Sequence, residues 1–303
     1  MSVRHTTTFL IRRFKEAGIR PDTRHGQNFL VDLNLLNVLA ETAQLTADDV
    51  VLEVGTGTGS LTALLAQSAA HVVTVEIDEA LHQLACESLA DLNNVTMLHQ
   101  DVLRNKNNLH PNVLLAIEDQ LRDTPASRIK LVANLPYNVA TPVISNLLAT
   151  DLKPESLTVT IQKELADRMT AIPGTKDYSA LSIWIQCQCE VNVVRVMPPT
   201  CFWPRPKVNS AIIHIEPKAE LRDRIPHRDL FHSFIRSMFF HRRKLLRRVL
   251  LSAYKGQLAK PDVDDILRIL GWSAETRAEQ LPIDEMLQLF STVREKLESL
   301  GHG

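Results

Sequence analysis

Short runs of β-branched residues alternate with helical stretches from about residue 48 onward, and this alternation constrains the fold more than any other feature. Strand-like runs occupy 48–54 and 71–77, a helical pattern follows each of them, and a third strand lies within 95–103. Strands separated by helices favour a parallel sheet, because a parallel crossover needs about a dozen residues or more. The order therefore predicts an α/β fold with a doubly wound parallel sheet.

The pattern changes toward the C-terminus. Further strands are predicted at 128–135 and 157–162, and two β-rich runs at 183–197 and 208–217 lack a helical pattern between them, which indicates an antiparallel hairpin at the sheet edge. After Pro217 the β-character disappears, and three segments are predicted as helices, at 228–254, 262–270 and 283–299. We therefore predict a basic N-terminal arm (1–30), an α/β domain (31–218) and a small all-helical domain (219–303).

The charges are segregated along the chain although they nearly cancel, at −1 overall. Residues 1–30 hold six basic and two acidic residues, and 219–260 hold eleven basic and three acidic. Residues 31–218 hold 13 basic and 21 acidic residues. The two basic segments could contact an anionic polymer or could simply be solvated faces. No apolar run approaches the roughly 18 residues that cross a bilayer, so we expect no membrane association.

The four cysteines do not predict a disulfide framework or a metal site. They are scattered over the chain, at Cys86, Cys187, Cys189 and Cys201. Cys187 and Cys189 form a C-x-C pair within a β-rich run, but neither a second pair nor a nearby histidine completes a zinc set. We expect buried structural thiols in a reducing compartment, and no metal.

A glycine loop and two acidic residues indicate a nucleotide cleft. Gly55, Gly57 and Gly59 join the first strand to the first helix in a G-x-G-x-G spacing, which differs from the G-x-G-x-x-G that seats a pyrophosphate. Glu76 and Asp101 stand at the ends of the next two strands, where they could accept from ribose hydroxyls and from an adenine amine. The missing pyrophosphate fingerprint argues against a nicotinamide-dependent oxidoreductase. An adenosine ligand without pyrophosphate, such as S-adenosylmethionine, fits.

The fourth strand ends in Asn134-Leu135-Pro136-Tyr137. Leu135 precedes proline and is held extended, so its carbonyl has a fixed direction beside the Asn134 side-chain carbonyl. Two fixed acceptors suit a planar amine with two N–H bonds, and Tyr137 offers a ring face for a planar base. The motif predicts amine methylation by positioning and electrostatics, because asparagine cannot act as a strong base.

Taken together, these motifs resemble the KsgA/RsmA-type ribosomal RNA small-subunit adenine dimethyltransferases of the rRNA adenine dimethylase family. The resemblance covers nearly the whole chain, and its motifs occur in the order that is typical of the family. In chain order the motifs are GIRP (18–21), HGQNFL (25–30), the glycine loop, Glu76, Asp101, Asn134 to Tyr137, QKE (162–164), Tyr178-Ser179, Pro198-Pro199, Phe202, PKV (206–208) and FHRRK (240–244). It implies a Rossmann-like S-adenosylmethionine-dependent methyltransferase sheet with a small all-helical C-terminal domain.

The resemblance also implies the residue roles and the reaction. The methyl donor S-adenosylmethionine would be bound by Asn28, Leu30, Gly55, Gly57, Glu76, Asp101 and Asn134. The target adenine would be held by Asn134, Leu135, Pro136 and Tyr137, with Phe202 as the opposing aromatic face. The family transfers two methyl groups to N6 of each of two adjacent adenosines near the 3′ end of small-subunit rRNA. The implied protein is a cytoplasmic monomer that acts on a pre-ribosomal 30S-type particle.

Departures from the family pattern are few. Thr56 stands where proline or alanine is usual, Asn209 replaces the usual aspartate, and 104–127 is longer than is typical and is predicted to be an insertion with one short helix. Two alternative functions remain open: a large-subunit rRNA adenine methyltransferase, and a catalytically silent RNA-biogenesis or transcription factor on the same fold.

The basic segment receives a specific interpretation from this resemblance. Apolar residues recur at helical spacing from Ile235 to Leu250, and basic residues fill the other face. We predict a single amphipathic helix that contacts the phosphate backbone of RNA. Its contacts would come from Arg242, Arg243, Lys244, Arg247 and Arg248.

Overall fold

The structure is a computed structural model that describes residues 7–302, apart from 17, 20, 22–25, 123–126, 226 and 243. The chain divides into two compact units. The first comprises Met1–Ala166 with Val191–Pro217, and the second comprises Asp167–Glu190 with Lys218–Gly303. The segment 167–190 thus groups with the C-terminal helices, whereas the sequence pattern placed it in the α/β domain.

The strands and helices alternate along the first part of the chain as the sequence predicted. The strands are β1 (Phe29–Leu30), β2 (Asp49–Val54), β3 (His71–Glu76), β4 (Val95–His99), β5 (Leu103–Asn105), β6 (Asn108–Leu109), β7 (Arg128–Asn134), β8 (Ser156–Gln162), β9 (Cys189–Met197), β10 (Phe202–Trp203) and β11 (Ser210–Pro217). The helices are α1 (Thr7–Glu16), α2 (Leu33–Thr42), α3 (Ser60–Leu65), α4 (Glu79–Leu89), α5 (Pro111–Arg122), α6 (Ala140–Ala149), α7 (Lys163–Met169), α8 (Ala180–Gln186), α9 (Ala219–Arg222), α10 (Arg228–Phe239), α11 (Leu246–Ala253), α12 (Lys260–Ile269) and α13 (Ile283–Ser299).

A seven-stranded sheet with the order β4-β3-β2-β7-β8-β11-β9 forms the centre of the fold. Neighbours from β4 to β8 are parallel, whereas β11 runs antiparallel to β8. The chain moves from β2 outward to β3 and β4 and then returns to β7 on the other side of β2, so the order reverses between β2 and β7. Such a switch point opens a crevice at the carboxyl ends of the strands, where ligands bind in doubly wound sheets. The predicted α/β fold class is confirmed.

The core lies on both faces of this sheet. All of β2 is buried, as are Leu131 of β7 and Ile161 of β8, because helices cover parallel sheets on both sides. The segment 104–127 contributes to this cover. Its helix α5 packs on β2, β3 and β7 with Val113 and Ile117 fully buried, so it is the crossover helix between β4 and β7 rather than a peripheral insertion.

The N-terminal helix α1 is anchored in the first unit. Its Leu10 and Phe14 are buried, and Phe14 packs with Ile19, Leu81 and Leu84. The helix ends before Gly18, whose φ of +67° is the left-handed conformation typical of a helix C-terminus. The predicted basic N-terminal arm thus contains a helix, Thr7–Glu16.

Two predictions of secondary structure were wrong. The run 183–197 begins as helix α8 and becomes strand β9 only at Cys189, because Ile183, Trp184 and Ile185 are buried on all sides of a short helix, which hides any period. Cys187 therefore caps a helix and does not share a strand face with Cys189. The segment 228–254 is two helices, α10 and α11, rather than one.

Within the part of the chain that the structure describes, no helix is long and apolar enough to cross a membrane.

Candidate active site

The carboxyl ends of β2, β3 and β7 meet at the switch point and bring three of the predicted motifs together. β2 runs into the glycine loop at Gly55, β3 ends at Glu76, and β7 ends at Asn134. A cleft at this point is lined by the glycine loop, the β1 segment, α1 and Asn134. The sequence predictions of these strand ends are confirmed.

Backbone conformation and close approach explain two of the loop glycines. Gly55 has φ +84°, and a Cβ there would lie 3.3 Å from the ring of Pro136. Gly57 has φ +57°, and a Cβ there would lie 3.1 Å from the ring of Phe29. Residues other than glycine rarely adopt these positive φ angles. The glycines therefore let the loop lie directly against the Asn134-to-Tyr137 turn and the β1 segment.

Glu76 is held in place by the backbone around it. Its Oε2 accepts from the N–H of Gly57 at 2.9 Å, and its Oε1 accepts from the N–H groups of Ile77 and Asp78, both at 3.0 Å. The residue is 5% exposed, and burial raises the pKa of its carboxyl against the opposing effect of these hydrogen bonds. A carboxylate has about four acceptor positions, so one position on Oε2 remains. Only one hydroxyl of a ribose can bind here without sharing or displacing a backbone hydrogen bond.

Asp101 lies two residues beyond the end of β4 rather than on the strand. It is exposed, and its Oδ1 accepts from the N–H of Leu103 at 2.8 Å. The N–H of Gln100 donates to the backbone carbonyl of Glu76 at 3.0 Å, which places the Asp101 segment beside the end of β3. The two acidic residues thus occupy neighbouring strand ends, as the sequence predicted.

Asn134 is fixed through its nitrogen and open at its oxygen. Its Nδ2 donates to the backbone carbonyl of Asn28 at 2.9 Å, across 106 positions in the sequence. Its Oδ1 is buried and has no hydrogen-bond partner among the described residues. A buried acceptor without a donor is costly, roughly 1–3 kcal/mol, and in native structures each one needs an explanation. This oxygen can accept from an N–H of a ligand in the cleft.

The segment around Asn28 is packed against the turn that follows Asn134. The Nδ2 of Asn28 donates to the carbonyl of Gly26 at 3.0 Å, and a Cβ at Gly26 would lie 3.0 Å from the backbone nitrogen of Tyr137. These contacts bring the HGQNFL and Asn134-to-Tyr137 motifs together, although His25 lies outside the described residues.

The turn itself is rigid. The N–H of Leu135 donates to the carbonyl of Thr160 at 3.2 Å, and the carbonyl of Pro136 accepts from Val139 at 3.1 Å. The hydroxyl of Tyr137 hydrogen-bonds with Ser210 of β11 at 2.5 Å, and burial raises the pKa of this phenol. Tyr137 is half-buried, so its ring is fixed in orientation at the edge of the turn.

Phe202 and Leu30 are both buried in the core, although Leu30 also lines the cleft. They pair with each other across the β1–β10 ladder and belong to one hydrophobic cluster with Leu36 and Leu61. Phe202 is 3% exposed. The prediction that Phe202 offers a face to a base is therefore not met in this structure, because its ring is enclosed by aliphatic side chains. Stacking on it would require the ring to leave this cluster.

Glu53 is a functional candidate that the sequence argument passed over. It is 1% exposed at the end of β2 and lines the same cleft as Asn134. Its Oε2 accepts from the hydroxyls of Thr62 at 2.5 Å and Thr74 at 2.7 Å. Burial raises the pKa of its carboxyl to about 8. The available signal was its position immediately before the glycine loop, where a buried acidic residue would otherwise be unusual.

The predicted RNA-contacting residues differ in what their side chains do. Arg242 is engaged within the second unit: its Nε donates to Glu279 at 2.6 Å, and its guanidinium also donates to the carbonyls of Thr175, at 2.7 Å, and Lys176. The prediction that Arg242 lies on the outer face of a helix was wrong, because α10 ends at Phe239 and the arginine clamps the following turn onto the 175–176 segment.

The other described basic residues of this group differ in their contacts. Arg247 forms a bidentate pair with Asp264 of α12, at 2.5 and 2.7 Å. Lys244 and Arg248 are exposed. Arg243 lies outside the described residues. Of the four described side chains, those of Lys244 and Arg248 are thus placed to meet a phosphate without first breaking a protein interaction that the structure shows.

Comparison with known proteins gives a consistent result. A family model described as ribosomal RNA adenine dimethylase matches residues 20–295. The ribosomal RNA small subunit methyltransferase A of Clostridium acetobutylicum is 39% identical over 267 residues, which cover 88% of this chain and 91% of the relative. The protein of the same name from Lactiplantibacillus plantarum is 38% identical over 274 residues, which cover 90% of each chain.

Two solved structures share the fold over most of the chain. A dimethyladenosine transferase from Plasmodium falciparum superposes with a TM-score of 0.72 at 24% identity, covering 88% of this chain and 97% of the other. The 23S rRNA methyltransferase ErmE superposes with a TM-score of 0.59 at 25% identity, covering 88% of this chain and 99% of the other.

Proposed function

Since the chain belongs to the ribosomal RNA adenine dimethylase family, we propose that it transfers methyl groups from S-adenosylmethionine to N6 of two adjacent adenosines near the 3′ end of small-subunit rRNA. The observation that carries this proposal is the buried, unpartnered Oδ1 of Asn134 at the switch point of the sheet. The relatives named above as small subunit methyltransferases favour this substrate over large-subunit rRNA.

The cleft residues fit the methyl donor. Gly55 and Gly57 allow close approach to the loop, Glu76 retains an acceptor position for a ribose hydroxyl, and Asp101 lies beside it at the next strand end. Glu53 places a buried carboxyl in the same cleft. Asn28 and Leu30 would complete the site from the β1 segment. Bound S-adenosylmethionine supplies a methyl group on a sulfonium, whose carbon accepts the lone pair of the attacking nitrogen while the C–S electron pair stays on sulfur.

Asn134 and its turn prepare the adenine amine for this attack. The amine is a weak nucleophile because its lone pair is delocalised into the ring. When Oδ1 of Asn134 and the carbonyl of Leu135 accept its two N–H bonds, the nitrogen becomes more tetrahedral and its lone pair is localised. The hydroxyl contact to Ser210 fixes the ring of Tyr137 as a stacking face. Positioning and preorganised acceptors carry the rate, and the proton that N6 loses passes to solvent.

The intact donor cleft argues against a catalytically silent factor on the same fold. Glu76 keeps its backbone partners and Asn134 keeps an open acceptor, which a purely structural role would not require. We further propose that the protein acts on a pre-ribosomal small-subunit particle, because the excess of basic residues in 219–260 suits a large RNA surface. A monomeric state and a cytoplasmic location belong to this proposal as what the family resemblance implies.

Labelled S-adenosylmethionine tests this function. The protein is incubated with small subunits that lack the modification and, as a control, with large subunits from the same cells. We expect label in the small subunit only. Label in the large subunit would assign the chain to the other branch of the family, and label in neither would refute the proposed activity.

A further inference from the structure

A groove of about 520 Å³ lies between α10 and α11 in the second unit. Its walls carry small side chains, with Ser233 and Ser237 on α10 and Ser252 and Ala253 on α11, and buried Val249 forms part of its floor. Small residues on facing helices leave the space open. The volume falls within the range of roughly 300–1,000 Å³ that is typical of small-ligand sites.

Phe240 stands at one end of this groove with its ring in solvent. It is 80% exposed, directly after the last residue of α10, and it lines the groove together with Ser233 and Ser237. The spacing of three, four and seven residues places these side chains on one face of the helix. The ring of His241 meets that of Phe240 edge to face, with ring centroids 4.8 Å apart. Apart from this contact the Phe240 ring is largely exposed, and a large apolar side chain in solvent is informative where a recognition surface is expected.

The groove is bordered by positive charge. Arg236 lines it, and Arg248 lies four residues before Ser252 on the same face of α11. Lys244 is exposed in the turn between the two helices. None of the described residues that line the groove is acidic. A cationic rim around an exposed aromatic ring is complementary to an unstacked base and its flanking phosphates.

We propose that this groove binds one unstacked nucleobase of the RNA, with the base on the ring of Phe240 and the neighbouring phosphates against Arg236, Lys244 and Arg248. The hydroxyl of Ser237 donates to the carbonyl of Ser233 at 3.1 Å, so its oxygen can accept from the edge of the base. This inference rests on the proposed function and adds an RNA contact that does not involve the methyl-transfer residues. Its stacking role tolerates different bases, because every base has a π-face.

Binding of unmethylated small subunits to Phe240 variants provides the first test. Phe240→Ala should weaken binding by about tenfold, within the range for the loss of one base–aromatic stack. Phe240→Leu should weaken it similarly, because it keeps apolar area without an aromatic face, and Phe240→Trp should retain it. The matched control is Ile269→Ala, at a side chain that is 59% exposed on α12 and does not line the groove. Unchanged affinity in Phe240→Ala, or full affinity in Phe240→Leu, would overturn the proposal.

Ultraviolet crosslinking of the wild-type complex identifies the occupant. We expect the peptide that contains Phe240 to carry an rRNA nucleotide. A crosslink to a ribosomal protein, or no crosslink at this peptide, would overturn the proposal without touching the proposed function. The two failures remain distinguishable because methyl transfer by the wild-type protein is scored separately. If the wild-type protein methylates the rRNA and the Phe240→Ala variant binds small subunits with normal affinity, only the base-binding role of the groove is refuted.

Discussion

Asn134 uses one end of its amide for structure and leaves the other for a ligand. The hydrogen bond from Nδ2 to Asn28 fixes the plane of the amide, so the unpartnered Oδ1 has a defined direction in the cleft. The sequence motif predicted that this residue acts as an acceptor, and the structure leaves its Oδ1 without a partner among the described residues. It did not identify the donor bond to Asn28, because a contact across 106 positions has no local signal.

Replacing Asn134 separates catalysis from folding. Asn134→Ala should lower methyl transfer by roughly 10²–10³-fold, the scale for losing one preorganised polar contact in the transition state. The rate is measured in single turnover at saturating S-adenosylmethionine, so that weaker donor binding does not contribute. Asn134→Asp is the matched control, because it retains an acceptor and should keep partial activity. A folded Asn134→Ala protein with the wild-type rate would remove this mechanism.

Glu76 provides a separate test of the donor site. Glu76→Ala should weaken S-adenosylmethionine binding by roughly 1.5–3 kcal/mol, the usual range for a hydrogen bond to a charged group. Because the carboxylate also accepts three backbone N–H groups, Glu76→Gln serves as the control that keeps most of the packing. Titration calorimetry gives the affinities. Equal affinity of wild type and a folded Glu76→Ala variant would mean that the ribose lies elsewhere.

The raised pKa of Glu53 leads us to expect a specific pH dependence of the protein's stability. Burial raises the pKa of its carboxyl to about 8, whereas the unfolded chain ionises it at about 4.3. Between these values the folded state binds more protons, so this group's contribution to stability falls as the pH rises through the interval. The Tm of Glu53→Gln minus that of wild type should therefore increase from about pH 5 to about pH 8 and then level off. A difference that stays constant across this range would contradict the buried, protonated state.

At the scale of secondary-structure elements, the ends of the parallel strands could be predicted from the sequence, whereas the helices of the second unit were predicted less accurately. The β-branched runs before Gly55, Glu76 and Asn134 predicted three strands correctly, because parallel core strands are continuous apolar runs. The run around Trp184 was misassigned, since a short apolar run that is buried on all sides has no period to distinguish helix from strand. Phe202 was assigned by motif alone, and motifs carry no information on burial.

The break between α10 and α11 shows the same limit. Apolar spacing continues through it, whereas Arg242 in the turn after the first helix donates to the carbonyls of Thr175 and Lys176, which are far away in sequence. Arg242 is therefore a residue that stabilises the turn, whereas Lys244 and Arg248 remain available for phosphate.

This division of labour among the basic residues can be measured. Neutralising Lys244 and Arg248 together should reduce the slope of log affinity against log salt by roughly 0.7–0.9 for each phosphate that is no longer neutralised, without changing the Tm. Arg242→Ala should instead lower the free energy of unfolding by roughly 1.5–3 kcal/mol, because its charge-assisted hydrogen bonds are removed. Salt titrations of small-subunit binding and thermal unfolding of each variant check both. An unchanged slope in the double variant would show that Lys244 and Arg248 are solvated and do not contact phosphate.

At the scale of the whole chain, chemistry and charge are assigned to different parts of the sequence. The cleft residues from Glu53 to Asn134 belong to the first unit, and the basic segment 219–260 belongs to the second. Contacts from the basic segment would position the RNA without selecting a base, whereas the Asn134 turn would select adenine. We therefore expect specificity for a site in the rRNA to depend on residues of both units.

Nucleoside mapping of the methylated rRNA tests the central claim most directly. Unmethylated small subunits are treated with the protein and S-adenosylmethionine, the 3′ region of the rRNA is isolated, and both its oligonucleotide fragments and its nucleosides are identified by mass spectrometry. We expect two adjacent adenosines to carry two methyl groups each on N6, and we expect far less of this product with Asn134→Ala at the same reaction time. Methyl groups on a different atom, on a non-adjacent pair or on a base other than adenine would contradict the account.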